Sequence, residues 1–286
     1  MNNKTIKSKR ILIKCCLLSG LALIVYMFYY ISYGFINKLH LEKIITKEKL
    51  KNLLLSNFVS YSQHFEDFIL FYLLYDIECG FYIDVGANDP NFISVTKAFY
   101  DRGWKGINIE PLPFKYKLLK QFRHRDINIQ MGAGNMKGNA TLQILCDHGE
   151  CSSIFYNKIY NNSKLLNIKI ETMSNICKMY IPIGKEIHFC KIDVEGAEKN
   201  VLLGFDFENY RPKIFCIESL INIKTKKPEY KEWEYILTKN DYKLGYVFGL
   251  NRFYYDNRIN SLKGKFYNIE QYLKKYYKKN IHKNIR

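Results

Sequence analysis

From Gly80 to Asp256 the chain repeats one pattern: a short apolar run, a polar or glycine-containing turn, then a stretch with apolar positions at helical spacing. GFYIDVGAND, KGINIEP, DINIQMGAG, EIHFCKIDVEGAE and KIFCIESL each contain a strand-like run. NFISVTKAFYDRGW, PFKYKLLKQFRHR and EYKEWEYILTKND place their apolar residues on one face and read as helices, the first stopped at Gly103. Strands alternating with helices make βαβ units, so the predicted fold is α/β with a mostly parallel sheet. YKLGYVFGLNRFYYD differs: two strand-like halves flank Gly249-Leu250-Asn251 and predict an antiparallel hairpin at the C-terminal end. NATLQILCD, after Gly138, predicts a strand of a local hairpin. Upstream, SYSQHFEDFILFYLLYD predicts a helix starting near Ser62, with Glu66 and Asp67 in its first turn.

Ahead of this body the pattern changes. Residues 15–36, CCLLSGLALIVYMFYYISYGFI, are 22 positions without a charge, and roughly 20 suffice to span a bilayer as a helix. Tyr26, Tyr29, Tyr30 and Tyr33 gather toward the C-terminal end of the run, as interfacial aromatics do. A cleaved signal peptide has a shorter apolar core and a small-x-small cleavage site, and this run has neither. The expected organisation is a basic tail over 1–14, a transmembrane anchor over 15–36, a juxtamembrane helix over 37–57, the folded domain over 58–262 and a basic tail over 263–286. Membrane lipid is therefore an expected partner. Lysines and arginines number five on each side of the run, so they do not orient it. The eight cysteines include no CxxC pair, which argues against zinc; Cys15 and Cys16 lie in the anchor run, where they could accept an acyl chain, and the other six read as reduced thiols, which favours a cytosolic body.

The net charge of +17 suggests a polyanionic partner until its distribution is read. Residues 1–14 hold five Lys/Arg and no acid, residues 263–286 hold eight and one Glu, and the body is close to neutral. With no basic face on the body and no recognition motif, a nucleic-acid partner is not expected. The C-terminal FYNIEQYLKKYYKKNIHKNIR interleaves aromatics with lysines. It reads either as a surface helix on anionic lipid or as a solvated basic tail.

In a doubly wound sheet the ligand lies beyond the carboxyl ends of the strands. Those ends deliver Asp84-Val85-Gly86-Ala87-Asn88-Asp89, Glu110, Asp193-Val194-Glu195-Gly196 and Glu218, acidic at every strand and basic at none. Carboxylates suit hydroxyls and a cation and repel a pyrophosphate. Gly86 also stands alone, because Asn88 and Asn91 occupy the other glycine positions of a dinucleotide fingerprint, and no phosphate-binding P-loop exists. S-adenosylmethionine carries no phosphate and a positive sulfur, so it fits better. Glu110, 26 residues after Asp84, is near the offset of about 20 at which a ribose-binding acid is expected. Single acids at strand ends are common turn and helix-start chemistry; their convergence carries the reading. No metal constellation stands out, a divalent ion held by the carboxylates being the alternative; His124 reads as solvated, and His148 and His188 as structural in preference to bases.

Five blocks then resemble one family. YSQHFED (61–67), GFYIDVGANDP, FYDRGWKGINIEP, KIDVEGAEKNVLLG and FCIES occur in an order similar to the FkbM-type S-adenosylmethionine-dependent methyltransferases, over about residues 58–258. The resemblance implies a Rossmann-like methyltransferase sheet and O-methyl transfer, with a sugar hydroxyl of a glycan or glycolipid as acceptor. On this reading Asp84 and Gly86 form the floor under the methionine part of the cofactor, Asn88 belongs to the same cofactor site and Glu110 holds the ribose. Gln63 and Glu66 close over its amino-acid end. Asp193 and Glu195 lie beside the methyl group, one of them as base or as orienter of the acceptor. The remaining readings are a non-catalytic interaction protein that keeps the fold and, less favoured, a dinucleotide-dependent oxidoreductase.

Overall fold

The apolar runs become strands because nearly all their residues are buried on both faces, where Ile, Val and Phe pack best. The computed structural model describes residues 47–144, 152–153, 164–219 and 229–280. Its strands are β1 (Phe81–Val85), β2 (Lys105–Ile109), β3 (Ile127–Ile129), β4 (Gly132–Gly134), β5 (Gly138–Ile144), β6 (Ser152–Ser153), β7 (Lys164–Thr172), β8 (Ile187–Ile192), β9 (Pro212–Glu218), β10 (Tyr242–Phe248) and β11 (Asn251–Asp256). Two compact units divide between Leu53 and Leu54. The helix Lys47–Ser56 begins in the first, and all eleven of these strands belong to the second.

A seven-stranded sheet has the order β10-β11-β9-β8-β1-β2-β3. The pairs β1–β2, β2–β3, β1–β8 and β8–β9 are parallel, and β11 is antiparallel to both β9 and β10. The sheet is thus mostly parallel, Rossmann-like, and ends in the expected hairpin. The chain winds outward from β1 to β3 and returns to place β8 on the other side of β1. That reversal opens a crevice at the carboxyl ends of β1 and β8, the position where such sheets take ligands.

Side chains alternate across the sheet. Ile83, Val85, Ile107, Ile192, Phe215 and Ile217 enter one core with Met173, Ile176 and Trp233. Tyr82, Phe189, Ile214, Cys216 and Phe253 enter the other, against the helix Glu66–Leu74 and Trp104. Phe266, Ile269 and Leu273, from the helices Asn260–Tyr267 and Ile269–Asn280, complete that second core. Asp84 and Lys191 sit on this face, directly paired across β1 and β8.

Three sequence expectations need correction. DINIQMGAG is two strands: β3 closes the main sheet, while β4 belongs to a separate four-stranded sheet of order β4-β7-β5-β6. The strand after Gly138 is not half of a short-range hairpin with its immediate neighbour alone; β5 pairs antiparallel along its whole length with β7, Gly138 facing Ile170 and Ile144 facing Lys164. A hydrophobic period shows which face is buried but not how far away the partner lies. Finally, Ser62 is not the helix cap. The helix begins at Glu66, after Phe65 in the left-handed region at φ 59°. The Ser62 hydroxyl donates to Asp67 Oδ1 at 2.7 Å.

Among the described residues no helix is long and apolar enough to cross a membrane. The expected anchor, 15–36, lies outside the described residues.

Candidate active site

Asp84, Asn108 and Lys191 stand in one row across β2, β1 and β8, one residue before the strands end. Beyond them the backbone turns sharply. Gly86 has φ +76°, and a Cβ there would lie 1.9 Å from the Asp193 carbonyl oxygen. Only glycine satisfies both demands. The Asp193 amide in turn donates to the Val85 carbonyl at 3.1 Å, so the loops after β1 and β8 are laced together.

Asp84 is 2% exposed. Its Oδ2 accepts the Thr96 hydroxyl at 2.8 Å, and its Oδ1 lies 3.5 Å from Lys191 Nζ. Glu110 is also buried, and both its oxygens receive backbone amides: Asn88 N–H to Oε2 and Leu112 N–H to Oε1, each at 2.8 Å. Burial pushes the Glu110 carboxyl up, and those two amides pull against it. Asn88 stands in the left-handed region at φ 50°. Its side-chain Oδ1 is buried and takes no hydrogen bond from any described residue. An acceptor left in that state needs a donor from elsewhere.

The turn after β8 carries Asp193 and Glu195. Glu195 and Gly196 have φ 54° and 101°, and the buried Glu198 ties the turn by accepting the Val194 and Gly196 amides, each at 3.2 Å. Asp193, Glu195 and Glu218 each place a carboxylate oxygen within 4.8 Å of the other two. Burial first, then the neighbouring Asp193, pushes the Glu218 carboxyl well above the ordinary carboxylate range.

The expectation that nothing basic reaches the strand ends is overturned by Lys191. It is buried in β8; its Nζ donates to the Gly86 carbonyl at 2.8 Å and lies 3.3 Å from Asp193 Oδ2. Burial works against its charge, but Asp193 and Asp84 outweigh burial and its pKa is raised. Its signal was present in the sequence: HFCKIDV is a strand buried on both faces, and a charge inside such a run needs a partner.

The structure brings Asp84, Gly86, Asn88, Glu110, Asp193 and Glu195 to adjacent strand ends. Glu66 is buried beside the end of β9: its Oε1 accepts at 2.7 Å from Nδ2 of Asn251, the residue paired with Glu218, and its Oε2 accepts from the His64 amide at 2.8 Å. Gln63 is exposed. His188 is structural, its Nδ1 accepting the Phe81 amide at 3.1 Å. Among the described residues Cys79, Cys177, Cys190 and Cys216 are free thiols, all but Cys79 buried.

A family model for the methyltransferase FkbM domain matches residues 84–244. No curated protein matches the chain. Among solved structures, the precorrin-6y C5,15-methyltransferase of Geobacter metallireducens GS-15 is similar at 10% identity and a TM-score of 0.30, covering 77% of this chain and 90% of that one. So low a score adds nothing to the argument. The family match is of another order: it spans more than half of the 286 residues, from Asp84 at the end of β1 to Leu244 in β10. With the strand-end acids and the lone glycine standing inside that span, the chain belongs to the FkbM methyltransferase domain family.

Proposed function

We propose that this methyltransferase takes its methyl group from S-adenosylmethionine and delivers it to a sugar hydroxyl of a glycan or glycolipid at a membrane surface. The observation that carries the donor is the crevice itself. Successive strand ends supply Asp84, Glu110, Asp193 and Glu195 around one glycine turn, with an unsatisfied Asn88 oxygen beside them. When bound, the donor supplies an electrophilic methyl group on a positive sulfur, and a carboxylate-lined pocket favours that charge. Gly86 gives the close backbone approach, the Asn88 oxygen offers an acceptor for an ammonium or hydroxyl, and the free lone pairs of Glu110 suit the ribose diol.

A sugar hydroxyl is a weak nucleophile and needs a base within hydrogen-bond reach. Asp193 fills that role. It is the more accessible end of the Lys191 bridge, its side chain 35% exposed against 2% for Asp84. Lys191 fixes the Asp193 carboxylate from below. Alignment of the acceptor oxygen with the methyl group then supplies much of the rate, up to about 7–11 kcal/mol in favourable cases. The membrane part of the proposal rests on the 22 uncharged residues 15–36. The sugar acceptor rests on family membership.

The test is transfer of labelled methyl from S-adenosylmethionine into membrane extracts by the full-length protein. Label in a glycan or glycolipid that survives mild alkali, as a methyl ether does, supports the reading. Alkali-labile label, label on protein, or no binding of S-adenosylmethionine by calorimetry refutes it. Recovery of the protein in the carbonate-washed membrane pellet tests the anchor.

A further inference from the structure

Glu218 has no role in the mechanism above, yet it closes the crevice. β9 ends at Glu218, which lies in register with Asn251 of β11, and the next amide, Ser219 N–H, donates to Leu250 O at 2.8 Å. The side chain is thereby fixed opposite the turn after β8, within 4.8 Å of Asp193 and Glu195. Its Oε2 is buried, and no described donor reaches it. A buried carboxylate anion collects donors; a neutral acid tolerates one bare oxygen far more cheaply. Among the described residues, the titratable groups facing it are Lys191, Asp193 and Glu195. Glu66, with His64 beside it, accepts from Asn251, the residue paired with Glu218, and Asp84 lies on the same face. One cation among so many acids leaves room for a proton, and Glu218, with its bare buried Oε2, is the member placed to hold it.

We propose that Asp193 and Glu218 form a one-proton carboxylate dyad, in which Glu218 is a positioning residue that donates a hydrogen bond to Asp193 and keeps its base oxygen oriented. The proposal rests on the reading of Asp193 as the base. Two carboxyls this close share a proton rather than ionise together. In the reaction the acceptor O–H bond breaks and its proton goes to Asp193. The oxygen's electron pair forms the O–CH3 bond, and the pair of the breaking S–CH3 bond stays on sulfur. The dyad passes from one negative charge to none as the positive charge on sulfur disappears, and the proton leaves to water with the product.

The experiment is carboxyl-carbon NMR of the full-length protein labelled at Asp and Glu, titrated in the presence of EDTA. One Glu resonance is expected to titrate well above the ordinary carboxylate range, to vanish in Glu218→Gln and to move down in Asp193→Asn. A Glu218 carboxyl that ionises in the ordinary acid range overturns the dyad, and the wild type alone suffices for that result. Methyl transfer into membrane extracts gives the second readout. Glu218→Gln keeps the donor, so its loss stays within about threefold, whereas Glu218→Ala loses at least about tenfold. The fall in wild-type activity as Glu218 deprotonates disappears in Glu218→Gln. Equal losses in both variants, or an unchanged alkaline limb, refute the positioning role. Calorimetry with S-adenosylmethionine separates the two failures: absent binding sinks the donor reading, while the NMR titration still decides the dyad.

Discussion

Replacing Lys191 with Met removes the only cation described between Asp84 and Asp193 while keeping the volume and the apolar stem. The ammonium lies 3.5 Å from Asp84 Oδ1, 3.3 Å from Asp193 Oδ2 and 2.8 Å from the Gly86 carbonyl. At an effective dielectric of about 20, each ionic contact is worth roughly 5 kcal/mol before desolvation is set against it. Desolvation cancels most of that gain in the intact bridge. Breaking the bridge is another matter, because Asp84, 2% exposed, keeps only the Thr96 hydroxyl. Removing one partner of a buried pair costs about 3–5 kcal/mol. At roughly 2–4 °C per kcal/mol for a domain of this size, Lys191→Met should melt about 6–20 °C below the wild type. Urea denaturation and thermal melts of the full-length protein measure this. The double variant Lys191→Met/Asp84→Asn removes the stranded charge and should recover at least half of the loss. If Lys191→Met melts with the wild type, or Asp84→Asn deepens the loss, the bridge is not what holds the strand ends together.

Gly86→Ala sets a Cβ 1.9 Å from a backbone oxygen at φ +76°; the left-handed conformation alone costs roughly 1–2 kcal/mol, so calorimetry should find S-adenosylmethionine binding lost along with stability, and unchanged binding would sink the close-approach argument. Glu110→Ala strands the Asn88 and Leu112 amides, and affinity for S-adenosylmethionine should fall at least about tenfold; equal affinity would end the ribose role. Glu198, pushed up to about 7 by burial, keeps in the folded state a proton that the unfolded chain has already released, so its contribution falls as pH rises from the ordinary Glu range to about 7. Glu198→Gln should therefore be stabilised relative to wild type at pH 8 compared with pH 4.5, by up to roughly 3 kcal/mol in urea titrations. His188, lowered to about 4 by burial, works in the opposite direction, losing stability as pH falls below its unfolded value, and cancels because both proteins carry it.

Much of this protein is legible in its sequence. The short apolar runs FYIDV and IHFCKI, set against the helical period between such runs, specified strands, helices and a mostly parallel sheet, and the Gly86 turn with its neighbouring acids located the crevice. These are local properties, set by which face of a short segment is apolar and by what a backbone turn demands. Partners remote in sequence were not legible. Glu66 finds Asn251 across 185 positions, β5 takes β7 as its partner along its whole length as well as its near neighbour β6 at its end, and one apolar run divides between two sheets after Ile129. Nor did any motif announce that Lys191 stands under two acids, or that Glu218 is crowded against Asp193 and Glu195. Charge in a strand is written in the sequence. Its burial and its company exist only once the sheet is assembled, because desolvation and Coulomb energy depend on distances that folding alone creates.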